Sequence, residues 1–210
     1  MQTLTDREIR LALVASLQRR AKAPSAILQE VHVCNGNAIV DVVAVYKSLH
    51  CYEIKGETDS IHRLRRQVPF YDQAAPTASL VTTSNHLKRA LEIVPAHWGV
   101  LVAQPSVGDK VKFTQIRKAS RNPLYRPEIA LLSLWRSELV GLQTVADKSF
   151  EKLNRKKLVD LVVSSASVSA INETVGRVLS QREKLVAMPD SASPYTLYGR
   201  KSSASESLTA

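Results

Sequence analysis

Three ionisable side chains stand close together in two consecutive apolar segments of this 210-residue chain. Asp41 lies in the run AIVDVVAVY, and Glu53 and Lys55 lie two positions apart in the run LHCYEIK. If both runs are strands, the period of two places Glu53 and Lys55 on one face, and a hairpin brings Asp41 close to them. Two carboxylates alone would repel each other, and a divalent cation between them removes that repulsion. The spacing therefore indicates a candidate cation site.

The elements that must position these residues alternate between helix and strand. Apolar spacing and turn residues predict, in order, a helix over 5–20, strands over 26–33, 38–46 and 49–55, a helix over 60–74, a strand over 78–83, a helix over 85–94 and a strand over 98–104. The first three strands should form an antiparallel meander, and the last strand-helix-strand unit implies parallel pairing through a crossover. The predicted fold class is therefore α/β, with a mixed sheet and the order α-β-β-β-α-β-α-β.

This pattern resembles the PD-(D/E)XK phosphodiesterase superfamily, the restriction-endonuclease-like nucleases. An Asp on one core strand, here Asp41, precedes a Glu-x-Lys on the next, here Glu53-Ile54-Lys55, and the resemblance covers residues 5 to about 103. It implies metal-dependent hydrolysis of DNA, in which Asp41, Glu53 and the carbonyl oxygen of Ile54 hold Mg²⁺ or Mn²⁺. Lys55 would then orient the attacking water or neutralise charge that develops on the phosphate. Mg²⁺ prefers one or two carboxylates together with waters and phosphate oxygens, which agrees with this set.

Two further features resemble branches of the same superfamily. Glu30 precedes the Asp41 strand and is the preferred accessory acid, while Glu8 on the first helix is the alternative. Gln67-x-x-x-Tyr71 is similar to the Q-x-x-x-Y motif of RecB-like nucleases, which implies that Gln67 positions water or phosphate. Residues at i and i+4 share one face of a helix, but Pro69 between them can kink it.

A surplus of basic residues indicates a polyanionic partner. The chain carries 29 Lys and Arg against 19 Asp and Glu, a formal net charge of +10. Because no membrane anchor is visible, this surplus favours nucleic acid as the partner. The resemblance to the nuclease superfamily implies that this nucleic acid is DNA. The predicted nucleic-acid contacts are Arg63, Arg66 and Tyr71 on the helix after Lys55, Lys118 and Arg121 in a basic loop over 110–126, and Arg155, Lys156 and Lys157 on a later helix.

Composition also sets the expected organisation and compartment. We predict a nuclease-like core over 1–104, a basic helical extension over 105–187 with helices over 126–143, 153–163 and 168–185, and a disordered tail over 188–210. Only Cys34 and Cys51 are present, without a CxxC motif, and neither a secretory signal nor a long apolar span is visible. The expected compartment is therefore the cytoplasm, with no membrane partner and with a protein partner or homodimer left open.

Two other functions remain open at this point. A protein could keep the same fold and hold DNA without cutting it, although a degenerate site usually loses at least one of Asp41, Glu53 and Lys55. A nuclease directed at RNA is the other alternative. Only 5% of the residues are aromatic, so stacking on unpaired bases looks limited.

Overall fold

A six-stranded mixed sheet, whose strands follow each other in chain order, is flanked by helices on both faces. The computed structural model describes residues 3–108, 110–143 and 148–186. The strands are β1 (Ala26–Val33), β2 (Ala38–Val45), β3 (Leu49–Lys55), β4 (Thr77–Thr82), β5 (Gly99–Ser106) and β6 (Lys110–Arg117). The helices are α1 (Asp6–Gln18), α2 (Leu64–Ala74), α3 (Leu87–Ile93), α4 (Pro127–Leu131), α5 (Arg136–Gly141), α6 (Arg155–Ser165) and α7 (Val168–Val186).

Strand pairing confirms the predicted meander and crossover. β1, β2 and β3 pair antiparallel, β3, β4 and β5 pair parallel, and β6 closes the sheet antiparallel to β5. The order up to β5 is the predicted α-β-β-β-α-β-α-β, so the chain is an α/β protein with a mixed sheet.

Two hydrophobic cores lie on opposite faces of this sheet. On one face, α1 buries Ile9, Leu13 and Leu17 against Tyr52 and Ile54 of β3. A capping box between Thr5 and Glu8 begins α1, because it gives the first free backbone N–H groups acceptors. On the other face, a larger core joins α2 and α3 with the four C-terminal helices.

The segment after β5 differs from the predicted basic loop. Residues 110–117 form strand β6 instead of a loop, because basic and apolar residues alternate there with the period of a strand. Val111 and Phe113 pack against the α1-side core, whereas Lys110 and Lys112 face solvent. The edge of the sheet therefore carries lysines, which oppose pairing with another strand.

The predicted helix over 126–143 is also corrected, since it is two short helices, α4 and α5, separated by residues 132–135. The break frees carbonyl groups that arginines from other helices satisfy. Arg155 donates to the carbonyl oxygens of Leu132 and Leu134, and Arg182 donates to that of Ser133 at 3.1 Å. The next two predicted helices are confirmed as α6 and α7, while the predicted tail lies outside the described residues.

Pro69 lies inside α2 without ending it. The helix begins after a 3-10 turn over Ile61–Arg63 and continues through Pro69 to Ala74. Both Pro69 and Arg65, four residues earlier, are exposed, so water can satisfy the carbonyl group that the proline leaves without a donor. Among the described residues, no helix combines the length and apolar character that crossing a membrane requires.

Candidate metal and phosphate site

Asp41 lies where β2 separates from β3. The pairing between these strands ends at Val42 and Tyr52, and beyond it the Asp41 carboxylate takes the place of a backbone acceptor. Its Oδ2 accepts a hydrogen bond from the backbone N–H of Ile54 at 2.7 Å. Asp41 is therefore anchored beside the Glu-x-Lys segment, as the hairpin prediction requires.

Glu30, Asp41 and Glu53 occupy the same level on three neighbouring strands. Gln29 pairs with Val42 and Val31 pairs with Val40, so Glu30 lies opposite Asp41. The register of β2 and β3 likewise places Asp41 opposite Glu53. The three acids form a row across the sheet, which we call the acidic row (Glu30, Asp41 and Glu53).

The backbone at the acidic row departs from regular strand geometry. Glu30 has a φ of 53°, in the left-handed region that non-glycine residues rarely adopt. Ile27 packs in the α1-side core while Val31 packs in the opposite core, although regular alternation would put both on one face. A strained backbone persists only where the surrounding structure holds it in place, and such positions cluster at functional sites.

Glu53 is held inside the protein by two donors. It is fully buried, with Lys55 Nζ on its Oε1 and the Tyr71 hydroxyl on its Oε2. The same hydroxyl lies 2.9 Å from the carbonyl oxygen of Ile39, so it ties α2 to the start of β2. Burial and the nearby Glu53 carboxylate raise the pKa of Tyr71, which keeps this hydroxyl protonated as a donor.

The ionised form of the Asp41 carboxylate is destabilised, and the neighbouring donors and positive charges offset only part of this cost. Burial, followed by the repulsion of Glu53, raises the pKa of Asp41 from 3.8 to about 7, against the opposing effects of the Ile54 N–H, Lys55 and Arg10. About a fifth of its side chain remains exposed (21%). A cation reaching this carboxylate from solvent would stabilise its ionised form.

Arg10 is the residue of the site that the sequence analysis missed. Its guanidinium lies 2.8 Å from Glu30 Oε1, 3.3 Å from Asp6 Oδ2 and 3.8 Å from Asp41 Oδ1. The only hint in the sequence is that Asp6 and Arg10 lie four residues apart on α1, and this spacing is typical of an ordinary surface ion pair. Arg10 supplies a positive charge between two members of the acidic row.

Asp41 and Glu53 are the two carboxylates of the row that could hold a cation together. Within 3–108, 110–143 and 148–186, no cluster of three or more His, Cys, Asp and Glu side chains is arranged to hold a metal ion. Mg²⁺ needs only one or two carboxylates, because waters and substrate phosphates complete its shell. Asp41 and Glu53, at the same level on β2 and β3, supply that number of carboxylates.

The remaining accessory residues are distributed as follows. Gln67 lies one turn before Tyr71 on the same helix, and its Oε1 is buried without a hydrogen-bond partner among the described residues. Glu8 belongs to the α1 capping box, which gives it a structural role. Glu30, the accessory acid preferred from the sequence, is linked to Asp41 through the Arg10 guanidinium, which contacts both carboxylates.

The predicted DNA contacts need two corrections. Tyr71 is fully buried and binds Glu53, so its side chain cannot reach a DNA backbone in this conformation. The guanidinium of Arg155 is turned inwards to the carbonyl oxygens between α4 and α5. The other predicted contacts all have exposed side chains: Arg63, Arg66, Lys118, Arg121, Lys156 and Lys157.

Comparison with known proteins gives a phage family. A family model described as "Bacteriophage P4 protein cII" matches residues 1–189. "Protein cII" of Enterobacteria phage P4 is 25% identical over 175 residues, which are 83% of this chain and 66% of that protein. The chain thus spans just under two thirds of the length of this relative. No solved structure matches the chain.

Proposed function

We propose that this chain, which belongs to the bacteriophage P4 protein cII family, is a Mg²⁺- or Mn²⁺-dependent DNA nuclease with a restriction-endonuclease-like core. The observation that supports it is the position of Asp41 on the Ile54 N–H, beside the paired Glu53 and Lys55. A strained strand and a row of three carboxylates at the same level add to that support. We place its activity in the cytoplasm, in repair, recombination, or phage and mobile-element processes.

The chain's own residues account for most of the chemistry. Asp41, Glu53 and the Ile54 carbonyl would hold the cation, which supplies Lewis acidity and a more acidic bound water. Lys55 Nζ lies against Glu53 and would orient a water or offset charge on the phosphate. Arg10 adds positive charge at the opposite side of Asp41. The buried amide oxygen of Gln67, which has no partner in the part of the chain that the structure describes, would accept a hydrogen bond from that water.

A DNA-binding protein that does not cut is the alternative, and one observation favours it. Glu53 is completely buried, and its two oxygens are engaged by Lys55 and Tyr71. A cation could bind Glu53 only after one of these donors moved. In this reading Glu53 is a structural carboxylate that Lys55 and Tyr71 hold in place, and the exposed basic residues bind DNA without hydrolysis.

Cleavage assays separate the two functions. Purified protein is incubated with supercoiled plasmid, linear duplex and single-stranded DNA in Mg²⁺, Mn²⁺ or EDTA. The nuclease proposal expects metal-dependent cutting that Lys55→Ala reduces by roughly 10²–10³-fold while DNA binding stays close to that of the unmodified protein. Lys22→Ala, an exposed lysine outside the site, is the matched control. Salt-sensitive DNA binding without cutting in any condition would support the alternative.

A further inference from the structure

A cleft opens beside the acidic row, between the edge strand β1 and the residues that join α4 to α5. Its volume is about 700 Å³, within the usual range of ligand sites. Gln29 and Glu30 line it, and the same two residues line a second cleft with Arg10. The large cleft is therefore lined by Glu30, one end of the acidic row, but not by Asp41.

An aromatic ring with a stacked guanidinium forms part of the cleft wall. Trp135 is 43% exposed, and the guanidinium of Arg182 lies 4.1 Å from the centre of its ring. Exposed tryptophan paired with arginine is a surface on which nucleobases stack, because every base offers a planar face. His32 adds an exposed side chain on the opposite, β1 wall.

The stacking surface is held rigidly. Glu138 accepts a hydrogen bond from the backbone N–H of Trp135 at 2.6 Å and pairs through both oxygens with Arg182. Arg182 also donates to the carbonyl oxygen of Ser133. The bidentate pair fixes the plane of the guanidinium that lies against the ring, and the N–H bond fixes the backbone that carries the ring, so less conformational entropy is lost when a base stacks.

The size of the cleft selects between forms of DNA. A cleft of about 700 Å³ has the size of a site for a drug-sized ligand, which is much smaller than a segment of double helix. One or two unpaired nucleotides are closer to that size. An unpaired strand lying in the cleft would have its next phosphate near Glu30 and Arg10, at the acidic row.

We propose that this cleft binds an unpaired DNA strand adjacent to the phosphate to be cut, with a base stacked on Trp135. The inference rests on the proposed nuclease function for its position in the reaction, but strand binding can be measured without cleavage. Binding of an unpaired strand in this cleft would make single-stranded DNA, or the frayed end or flap of a duplex, the preferred substrate class.

The test uses the full chain and fluorescein-labelled oligo(dT) in EDTA, with binding followed by anisotropy. Trp135→Ala should weaken oligo(dT) binding about tenfold, as the loss of one stacked base does, and leave binding of an equal-length duplex within about twofold. Trp135→Phe should restore most of the affinity. Leu91→Ala, an exposed apolar side chain on α3, is the matched control.

A second variant covers the case in which Trp135→Ala disturbs α5. His32→Glu changes an exposed side chain of the cleft and should weaken oligo(dT) binding roughly threefold at low salt. Gln18→Glu places the same charge on the exposed end of α1 and should not change it. Unaltered oligo(dT) binding by both folded variants would overturn the inference.

Cleavage data then separate this inference from the proposed function. If Asp41-dependent cleavage is found but Trp135→Ala binds and cuts single strands normally, the cleft assignment is wrong and the nuclease stands. If Trp135→Ala loses oligo(dT) binding but no metal-dependent cleavage exists, strand binding stands and the nuclease proposal fails. Equal loss of duplex and single-strand affinity would also contradict the cleft, because a general phosphate contact explains that result.

Discussion

At the scale of single residues, the ionisation of Asp41 changes the free energy of unfolding of the protein. Its pKa rises from 3.8 to about 7 on folding, chiefly through burial. Between these values the folded state keeps a proton that the unfolded chain has released, so the free energy of unfolding falls as pH rises from about 4 to about 7. The full loss is on the order of 2–4 kcal/mol.

Asp41→Asn should remove this pH-dependent loss. The amide oxygen can still accept from the Ile54 N–H, but the residue no longer carries a charge. We expect the variant to be more stable than the unmodified protein by about 2 kcal/mol at pH 8 and equally stable near pH 4. Urea denaturation at several pH values measures this, with exposed Asp160→Asn as the control. Equal stability of Asp41→Asn and the unmodified protein at every pH would contradict a raised pKa of Asp41 in the folded protein.

Tyr71→Phe tests the support of Glu53. The change removes the hydroxyl that contacts Glu53 Oε2 and leaves a buried carboxylate oxygen short of a donor. We expect the free energy of unfolding to fall by about 1–3 kcal/mol at neutral pH. Chemical denaturation beside Tyr46→Phe, whose ring is partly exposed, provides the comparison. A loss no larger than that of the control would mean that Tyr71 only fills space.

At the scale of elements, periodicity and turn chemistry predict most of the core. The spacing of Ile9, Leu13 and Leu17 predicts α1, and β-branched runs predict the meander with the observed bounds of β1 and β3. Periodicity could not reveal the reversal of alternation at Glu30, because a left-handed φ at a charged residue leaves no sequence signature. Nor could it reveal the break before α5, where the apolar stripe continues but distant arginines satisfy the freed carbonyl groups.

Gly56 holds α1 against the end of β3. A Cβ at this position would lie 2.6 Å from the backbone nitrogen of Asp6 and 2.9 Å from the carbonyl oxygen of Leu4. Gly56→Ala should therefore lower the free energy of unfolding by about 1–3 kcal/mol, because backbone must move. Gly141→Ala, in α5 with open space around its Cα, should leave stability unchanged or raise it by up to about 1 kcal/mol. Equal melting temperatures for the two variants would contradict this packing.

At the scale of the whole molecule, the positive charge is distributed between structural and exposed residues. Arg155 and Arg182 are used inside the C-terminal helices, whereas Lys156, Lys157, Arg63 and Arg66 face solvent. Sequence alone could not separate these groups, because neighbouring basic residues on one helix carry the same charge. The net charge indicates the partner class, and the fold decides which residues can reach it.

Changing both Lys156 and Lys157 to Ala should lower the slope of the logarithm of DNA affinity against the logarithm of salt concentration by about 1–2. Arg155→Ala should instead cost stability, because it removes a donor from the carbonyl oxygens of Leu132 and Leu134. Duplex binding at several KCl concentrations in EDTA measures the slope. The control is Lys22 and Lys47 changed together to Ala, since both are exposed and neither belongs to the predicted DNA contacts. An equal change of slope in the control would contradict a localised DNA surface.

The most direct test of the nuclease account is the Mg²⁺-dependent cleavage rate of Asp41→Asn, measured at saturating DNA beside Asp160→Asn. Asp41→Asn should stay folded, since it keeps the Ile54 hydrogen bond and loses a destabilising charge. A metal-dependent nuclease should then cut at a rate at least about 10³-fold below that of the unmodified protein, because Lewis-acid stabilisation worth several kcal/mol is lost. Cleavage by Asp41→Asn at the rate of Asp160→Asn would contradict the account.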